Sequence, residues 1–274
     1  MKRICNICSA KDYKIVKKAG KHQLLKCLRC NNYYIYPFPS KRDTVLSYTE
    51  DTFNNSTYYS RCEALNLKTF EKRMMLIQKI TRLKKGKILD YGCSTGNFMD
   101  IAKKHKYLTV GKELNKKCIQ ICRKKGLNVN SSVQGMDFDM IHAGDILEHM
   151  QYPKKFIMEL NTYLRKGRFL IIATPNYNNV ITRLTQVKPK EHLFYYTPYG
   201  VRFLLEKNGF EIIYLRGCKR DRSVETLFFS ETSENSKIVR LILKITKTLR
   251  LERLMDWIIS NIKDDMLIIA RKIN

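Results

Sequence analysis

Between residues 87 and 175, short apolar blocks alternate with longer stretches of helical spacing. Lys87-Ile88-Leu89-Asp90-Tyr91 is an apolar run ending in an acid, and Gly92-Cys93-Ser94-Thr95-Gly96 is a turn of small residues. That order predicts a strand over 88–91 and a helix over 97–105. A second strand follows over 107–113 and a second helix over 115–125, stopped by Gly126. Residues 138–142 read as the fourth strand and 153–166 as a helix closed by Gly167. Residues 168–174 form an unbroken apolar strand halted by Pro175. Strands and helices alternating at this period form an α/β fold with a Rossmann-like, doubly wound parallel sheet. Its site lies at the C-terminal ends of the strands.

Outside that block the pattern changes. Residues 13–16 and 23–25 read as strands of a small ribbon around Gly20, and 33–36 as an aromatic strand stopped by Pro37 and Pro39. Ser40 or Asp43 can cap a helix starting near Thr44, and 51–60 reads as a loop. Residues 61–84 carry apolar positions at helical spacing with basic residues between, a helix expected to cover the main sheet. The chain thus divides into 1–40, a ribbon; 41–84, a helical linker or lid; and 85–274, the main domain. Within the last, 219–263 is an insertion whose residues 237–262 read as a basic amphipathic helix containing Trp257. Such a helix lies at a membrane surface, packs on its own domain, forms a dimer or caps a cleft.

Composition adds two constraints. Fifty-two Lys and Arg against 25 Asp and Glu leave a charge of +27 on 274 residues, which favours anionic partners. The 34 lysines and 18 arginines are spread along the whole chain, so a purely compositional origin stands beside that reading. Residues 1–20 carry cysteines and lysines where a signal peptide needs an apolar run, and no run has the length of a membrane span. The expectation is a cytoplasmic protein, peripheral at a membrane if the 237–262 helix binds there.

Nine cysteines need not be paired in a reducing compartment. Four of them, Cys5-x-x-Cys8 and Cys27-x-x-Cys30, make two turns that each point two thiolates at one metal. Together they complete a closed four-sulfur site for structural Zn2+. A redox pair or an iron centre are the alternatives for the same spacing. Cys118 and Cys122, at i and i+4, read as buried small residues.

The loop after the first strand carries the candidate chemistry. Glycine lets backbone approach a ligand, and the helix start that follows favours an anion. Glu113, 23 residues after Asp90 at the end of the second strand, is placed to accept hydrogen bonds from ribose hydroxyls. Asp90-x-Gly92-x-Ser94-x-Gly96 resembles the first motif of class I S-adenosylmethionine (SAM) dependent methyltransferases, with serine at the usual middle glycine. A tight turn tolerates that serine at negative φ. The stretch from Phe138 to Asn176 and Glu191–Ile213 resemble the ubiquinone/menaquinone-methylase-like group of that family. The double Cys-x-x-Cys ribbon followed by Pro37-Phe38-Pro39 is similar to its members that act on sugars and surface polysaccharides.

The resemblance implies a seven-stranded sheet finished by an antiparallel pair, here 210–215 and 266–270. It assigns SAM contacts to Asp90, Gly92, Cys93, Ser94, Gly96, Glu113 and Gly144. The usual acid beside adenine has no counterpart in the short 126–138 segment, where Gln134 or Asp137 are the candidates. Asp145, Glu148 and His149 stand at i, i+3 and i+4, so one helical turn would align them. In related O-methyltransferases a matching box is linked to a divalent cation; a Glu–His pair that orders the loop is the alternative. Glu191-His192 matches a pair that sugar methylases present to substrate, making His192 the first choice of general base and His149 the second.

The leading function is therefore SAM-dependent methylation of a sugar, nucleotide-linked or glycan-attached, at oxygen or carbon. An RNA methyltransferase is the runner-up, from the ribbon and the positive charge. Against it, Ala143-Gly144-Asp145 lacks the Asn/Asp-Pro-Pro-Tyr motif used on base amino groups. A non-catalytic subunit of the same fold is the third reading.

Overall fold

The computed structural model describes residues 3–40, 56–189, 191–221, 244–246, 248 and 251–273. β1 (Tyr13–Ala19), β2 (His22–Cys27) and β3 (Tyr33–Tyr36) form an antiparallel ribbon turned at Gly20, longer than the sequence pattern indicates. The helix start predicted near Thr44 lies outside the described residues. Helix α1 (Ser56–Thr81) begins within the stretch predicted as a loop. Ser56-Thr57-Tyr58-Tyr59-Ser60 are weak helix formers, but no Gly or Pro interrupts them, so the following turns propagate back.

The main domain then alternates as expected. β4 (Lys87–Tyr91), α2 (Asn97–Lys104), β5 (Leu108–Lys112), α3 (Lys116–Lys124), β6 (Val129–Asn130) and β7 (Phe138–Gly144) come first. α4 (Pro153–Tyr163), β8 (Leu164–Pro175), α5 (Val180–Thr185), β9 (Phe194–Tyr195) and α6 (Pro198–Glu206) follow. β10 (Phe210–Cys218), α7 (Glu252–Ser260) and β11 (Asp265–Lys272) end the chain. The seven-stranded sheet has the order β10-β11-β8-β7-β4-β5-β6. β11 is antiparallel to both its neighbours, and the pairs from β8 to β6 are parallel.

Alternation along the central strands fills two separate cores. Leu89, Ile141, Leu170, Ile172 and Ile268 face α4, α6 and the ribbon, meeting Ile157, Leu160, Leu204, Leu25 and Tyr34. Ile88, Met140, Ile171, Leu267 and Ile269 face α1 and α2, meeting Met74, Ile77, Phe98 and Ile101. Burial on both faces is what makes these strands read as continuous apolar runs.

Two boundaries differ from the pattern. α4 ends at Tyr163 rather than at 166, because Leu164 already pairs with Phe138. The register then jumps to Phe169 opposite Met140, so Gly167 (φ 74) sits in an irregularity of β8 rather than closing a helix. The short 126–138 segment holds β6, a two-residue edge strand paired to β5. The ribbon is also not a separate sheet: β9 pairs with β3, setting Tyr33 opposite Tyr195 and Tyr34 opposite Phe194. Among the described residues no helix is long and apolar enough to cross a membrane. Of the helix predicted over 237–262, residues 237–243, 247, 249 and 250 lie outside them; 244–246 and 248 are helical, Leu251 is not, and α7 follows.

Candidate functional site

β4, β5 and β7 end side by side, and their C-terminal ends surround a cavity of about 500 Å3. Asp90, Gly92, Cys93, Ser94, Glu113 and Gly144 line it together. Gly96 does not: at φ 82 it precedes α2, with Leu127 packed where a side chain would go. Ser94 adopts φ 49, the left-handed region, and not the negative φ at which serine is unstrained. Gln134 and Asp137 are outside the cavity, in the loop before β7.

Glu113 is fixed before any ligand arrives. Its Oε1 accepts from the Leu114 and Asn115 amides at 2.6 and 2.9 Å, and its Oε2 accepts from Ser94 N at 2.9 Å. A carboxylate oxygen has two acceptor directions, so Oε2 retains one toward the cavity. Asn115 caps α3 by accepting from the Lys117 and Cys118 amides, which holds this corner in place.

The cavity also contains groups the sequence did not single out. Among the described residues, both terminal nitrogens of Arg73 and Nε2 of His142 are buried and meet no hydrogen-bond partner, and both residues line the cavity. An unpaired buried guanidinium is costly, several kcal/mol in order of magnitude, and calls for an anionic ligand. Arg73 was invisible in the sequence because it is one of many basic residues between the apolar positions of 61–84. On the open side, Arg220 donates to Asp145 and, at 2.7 Å, to Asp265. Asp221 accepts from Lys72 at 2.8 Å, tying α1 to the end of β10.

Asp145, Glu148 and His149 do not share one helical turn. Asp145 lies at φ 56 and the 3-10 turn Leu147–His149 starts after it, so its carboxylate goes to Arg220. Glu148 and His149 instead meet His192, with ligand atoms of all three within 4.8 Å of one another. His149 Nδ1 lies 2.8 Å from Glu191 O, and His192 Nδ1 lies 2.9 Å from Gln186 O. A carbonyl only accepts, so each Nδ1–H donates and each Nε2 keeps its lone pair. Glu148 accepts from the Thr174 hydroxyl at 2.8 Å.

Burial pushes the Glu148 carboxyl up to about 8, reinforced by the charge of Asp145. Burial also lowers His149, and it lowers His192 further, aided by His149 and Lys188. Once Glu148 gives up its proton, one carboxylate and two neutral imidazoles are a donor set suited to a divalent metal, whose charge favours that ionisation. Glu191 joins this cluster through its backbone carbonyl, while its carboxylate faces Lys188 at 3.8 Å. The turn is a wall between cluster and cavity, since Ile146 and Met150 on either side line the cavity. Beyond the cluster stand Tyr195, 6.2 Å from His192, Tyr177, 5.2 Å from Tyr195, and the ribbon's Tyr33, 4.6 Å from Tyr177.

Residues 66–215 match the family described as a methyltransferase domain. The chain belongs to that family. Ubiquinone biosynthesis O-methyltransferases of Coxiella burnetii are 25% identical over 140 residues, which cover 47% of this chain and 59% of theirs. The chain therefore spans under two thirds of the length of those curated relatives. A SAM-dependent methyltransferase from Archaeoglobus fulgidus superposes with TM-score 0.53 at 19% identity, over 78% of this chain and 99% of that one. The plantazolicin methyltransferase BpumL in complex with SAH gives TM-score 0.54 at 16% identity, over 85% and 95%. Both likenesses concern the fold, a Rossmann-like methyltransferase sheet.

Docked on the methyltransferase domain, the ribbon gathers Cys5, Cys8, Cys27 and Cys30 with sulfurs within 4.8 Å of one another. Cys5 and Cys30 are 3.7 Å apart and Cys8 and Cys27 3.5 Å. Four sulfurs at zinc bonding distance around a tetrahedron stand ~3.8 Å apart, so the set fits the metal. The two turns are alike: Ser9 N donates to Cys5 O and Asn31 N to Cys27 O, and Ser9 and Asn31 share a left-handed φ. Crowding splits the thiols. Hydrogen bonds from Cys30 and Cys5 pull Cys27 down to about 2, while the hydrogen bond with Cys27, and then burial, raise Cys5 to about 12. A divalent cation removes that conflict by stabilising all four thiolates.

Proposed function

We propose that this protein is a SAM-dependent methyltransferase whose acceptor is a sugar, nucleotide-linked or glycan-attached, methylated at oxygen or carbon. The observation that carries the cofactor is the cavity at the strand ends, with Glu113 fixed by three backbone amides and an unpartnered Arg73 in the same lining. Glu113 Oε2 accepts from a ribose hydroxyl and Arg73 pairs with a carboxylate. SAM supplies a methyl group on a sulfonium, so the chain's task is placement and removal of the acceptor's proton.

His192 and His149 are the candidates for that second function; neither lines the cavity, so the acceptor has to reach past Ile146 and Met150 to meet them. Each is held by a carbonyl so that Nε2 is the basic nitrogen, and burial keeps both neutral near pH 7. With Glu148 the same nitrogens are candidate ligands of a divalent cation that would orient and acidify an acceptor hydroxyl. The four-cysteine site holds structural Zn2+ in this reading. The relatives' name favours oxygen as the methylated atom. The sugar part is supported by the resemblance of the ribbon and of the segment around His192, and by the three tyrosines beside it. Membrane contact through 236–262 belongs to the same proposal.

Calorimetry with S-adenosylhomocysteine (SAH) tests the cofactor. The unaltered protein binds it, and Glu113→Ala weakens binding by about tenfold or more, the order expected for a charge-assisted hydrogen bond. If the unaltered protein does not bind, or the variant binds equally, the cofactor reading fails. Labelled SAM offered with sugar nucleotides, RNA and phenolic quinone precursors tests the acceptor. Transfer to RNA or to the phenol alone overturns the sugar.

A further inference from the structure

We propose that the four-cysteine ribbon positions the acceptor side. Metal bound at its cysteines fixes the Glu148–His149–His192 cluster in place and leaves the cofactor cavity untouched, a role that rests on reading that cluster as the group that meets the acceptor.

The cluster is built from two segments distant in the chain, and each is gripped by one Cys-x-x-Cys turn. Asn6, inside the first turn, donates from Nδ2 to Gln151 O at 2.7 Å, just after His149. Asn32, just after the second turn, accepts at Oδ1 from Thr197 N at 3.3 Å, downstream of His192. A backbone ladder runs between these two holds. Ile35 N donates to Leu193 O at 3.1 Å, and Leu193 N donates to Glu148 O at 2.8 Å. Leu193 follows His192 directly, so one residue ties β3 of the ribbon to both halves of the cluster. Tyr196 closes the same corner, its hydroxyl donating to Leu147 O at 3.3 Å. Asn6 and Asn32 are positioning residues here, acting through the segments they hold.

Apolar packing reinforces the grip. Ile7 of the first turn and Tyr34 and Ile35 of β3 share one core with Leu147, Leu193 and Phe194. The Phe194 ring stacks against Tyr34 at 5.8 Å and Phe38 at 5.7 Å. β9 is two residues long and takes its ladder from β3, so it has no stability of its own. The ribbon in turn is too small to fold without the ion. Loss of metal therefore frees β3, then β9, and His192 with it. The cofactor cavity does not share this dependence. Among the described residues its lining begins at Leu65, and none of it comes from the ribbon.

Nuclear magnetic resonance of histidine-labelled protein reads the cluster without an acceptor. The rings of His149 and His192 lie 4.9 Å apart, close enough for a cross-peak between their protons. His142, stacked on Phe98 at 3.7 Å, is the control within the main domain. Cys5→Ser with Cys30→Ser removes the metal and is expected to abolish the cross-peak. The His142 signals stay in place, and SAH affinity by calorimetry stays within about threefold, as for a separate site. Asn6→Ala keeps the metal but shifts the His149 signals and weakens the cross-peak. Asn6→Gln, which keeps the amide donor, recovers part of both changes.

An intact cross-peak after loss of the metal overturns the proposal. So does its loss together with the His142 signals or with tenfold or more of SAH affinity, because the ribbon then supports the whole domain and not the cluster. Should the double cysteine variant fail to fold, Asn6→Ala decides: unchanged His149 signals with an unchanged cross-peak are fatal. A missing cross-peak in the unaltered, metal-loaded protein is fatal too. If the unaltered protein ignores SAH while the cross-peak still follows the metal, the cofactor reading falls and the hold of the ribbon on the cluster stands.

Discussion

Ser94 carries a Cβ through a left-handed turn at φ 49, a conformation that costs L-residues about 1–2 kcal/mol. Its amide still reaches Glu113, so the strain is held by the contact that positions the carboxylate. Ser94→Gly is expected to gain about 0.5 kcal/mol of stability, the relief being partly offset by the greater freedom of glycine in the unfolded chain. Denaturant titration checks this, and SAH affinity stays unchanged. Arg73 shows the opposite balance. Arg73→Met removes an unpaired buried charge, so the ligand-free protein becomes more stable by about 1–3 kcal/mol while SAH binding weakens by tenfold or more. Melting curves with and without SAH separate the two effects. Glu113 was legible because an acid at a strand end and a fixed spacing is a local pattern. Arg73 and its neighbours in sequence are chemically alike, and burial, which is not local, distinguishes them.

At the scale of elements, the ribbon and the methyltransferase domain are joined at the start of α6. Asn32 Oδ1 accepts from Thr197 N at 3.3 Å, and Thr197 Oγ1 donates to Asn31 O at 3.2 Å. Asn32 Nδ2 points to Cys30 Sγ at 3.8 Å, which links the helix start to the four-cysteine cluster. Gly200 is needed here because a Cβ would collide with Asn32 Oδ1. Asn32→Ala leaves the buried Thr197 amide without its acceptor and is expected to cost about 1–3 kcal/mol, measured as a lower unfolding midpoint. Strands β4, β5, β7 and β8 were readable because each carries enough apolar residues to set a period. β6 and β9, two residues each, carry no period of their own and exist because a neighbouring edge pairs with them.

Taken whole, the molecule couples its four-cysteine ribbon to its histidine cluster through β3 and β9, since Tyr33 pairs with Tyr195, just downstream of His192. A ribbon this small that holds a metal at four cysteines gains its folding free energy from that metal. Stripping zinc with a strong chelator is expected to lower the melting temperature and speed proteolysis of the ribbon. Elemental analysis should find zinc bound to the chain, and Cys5→Ser with Cys30→Ser abolishes it. Full stability and zinc content after these changes would refute a structural role for the metal. The charge of +27 acts at this scale as well, on association with anions and not on the fold.

The sequence alone determined the α/β alternation, the small-residue loop after β4, the acid Glu113 at a strand end and the two Cys-x-x-Cys pairs. Each of these is written in a short window, as a period, a turn residue or a fixed spacing. Tertiary structure alone decided that Asp145 turns to Arg220, that His192 completes the Glu148–His149 pair, and that Arg73 and His142 face one point beside Gly144. Those meetings join residues from distant elements, and their distances depend on how helices and strands pack, which no local pattern encodes.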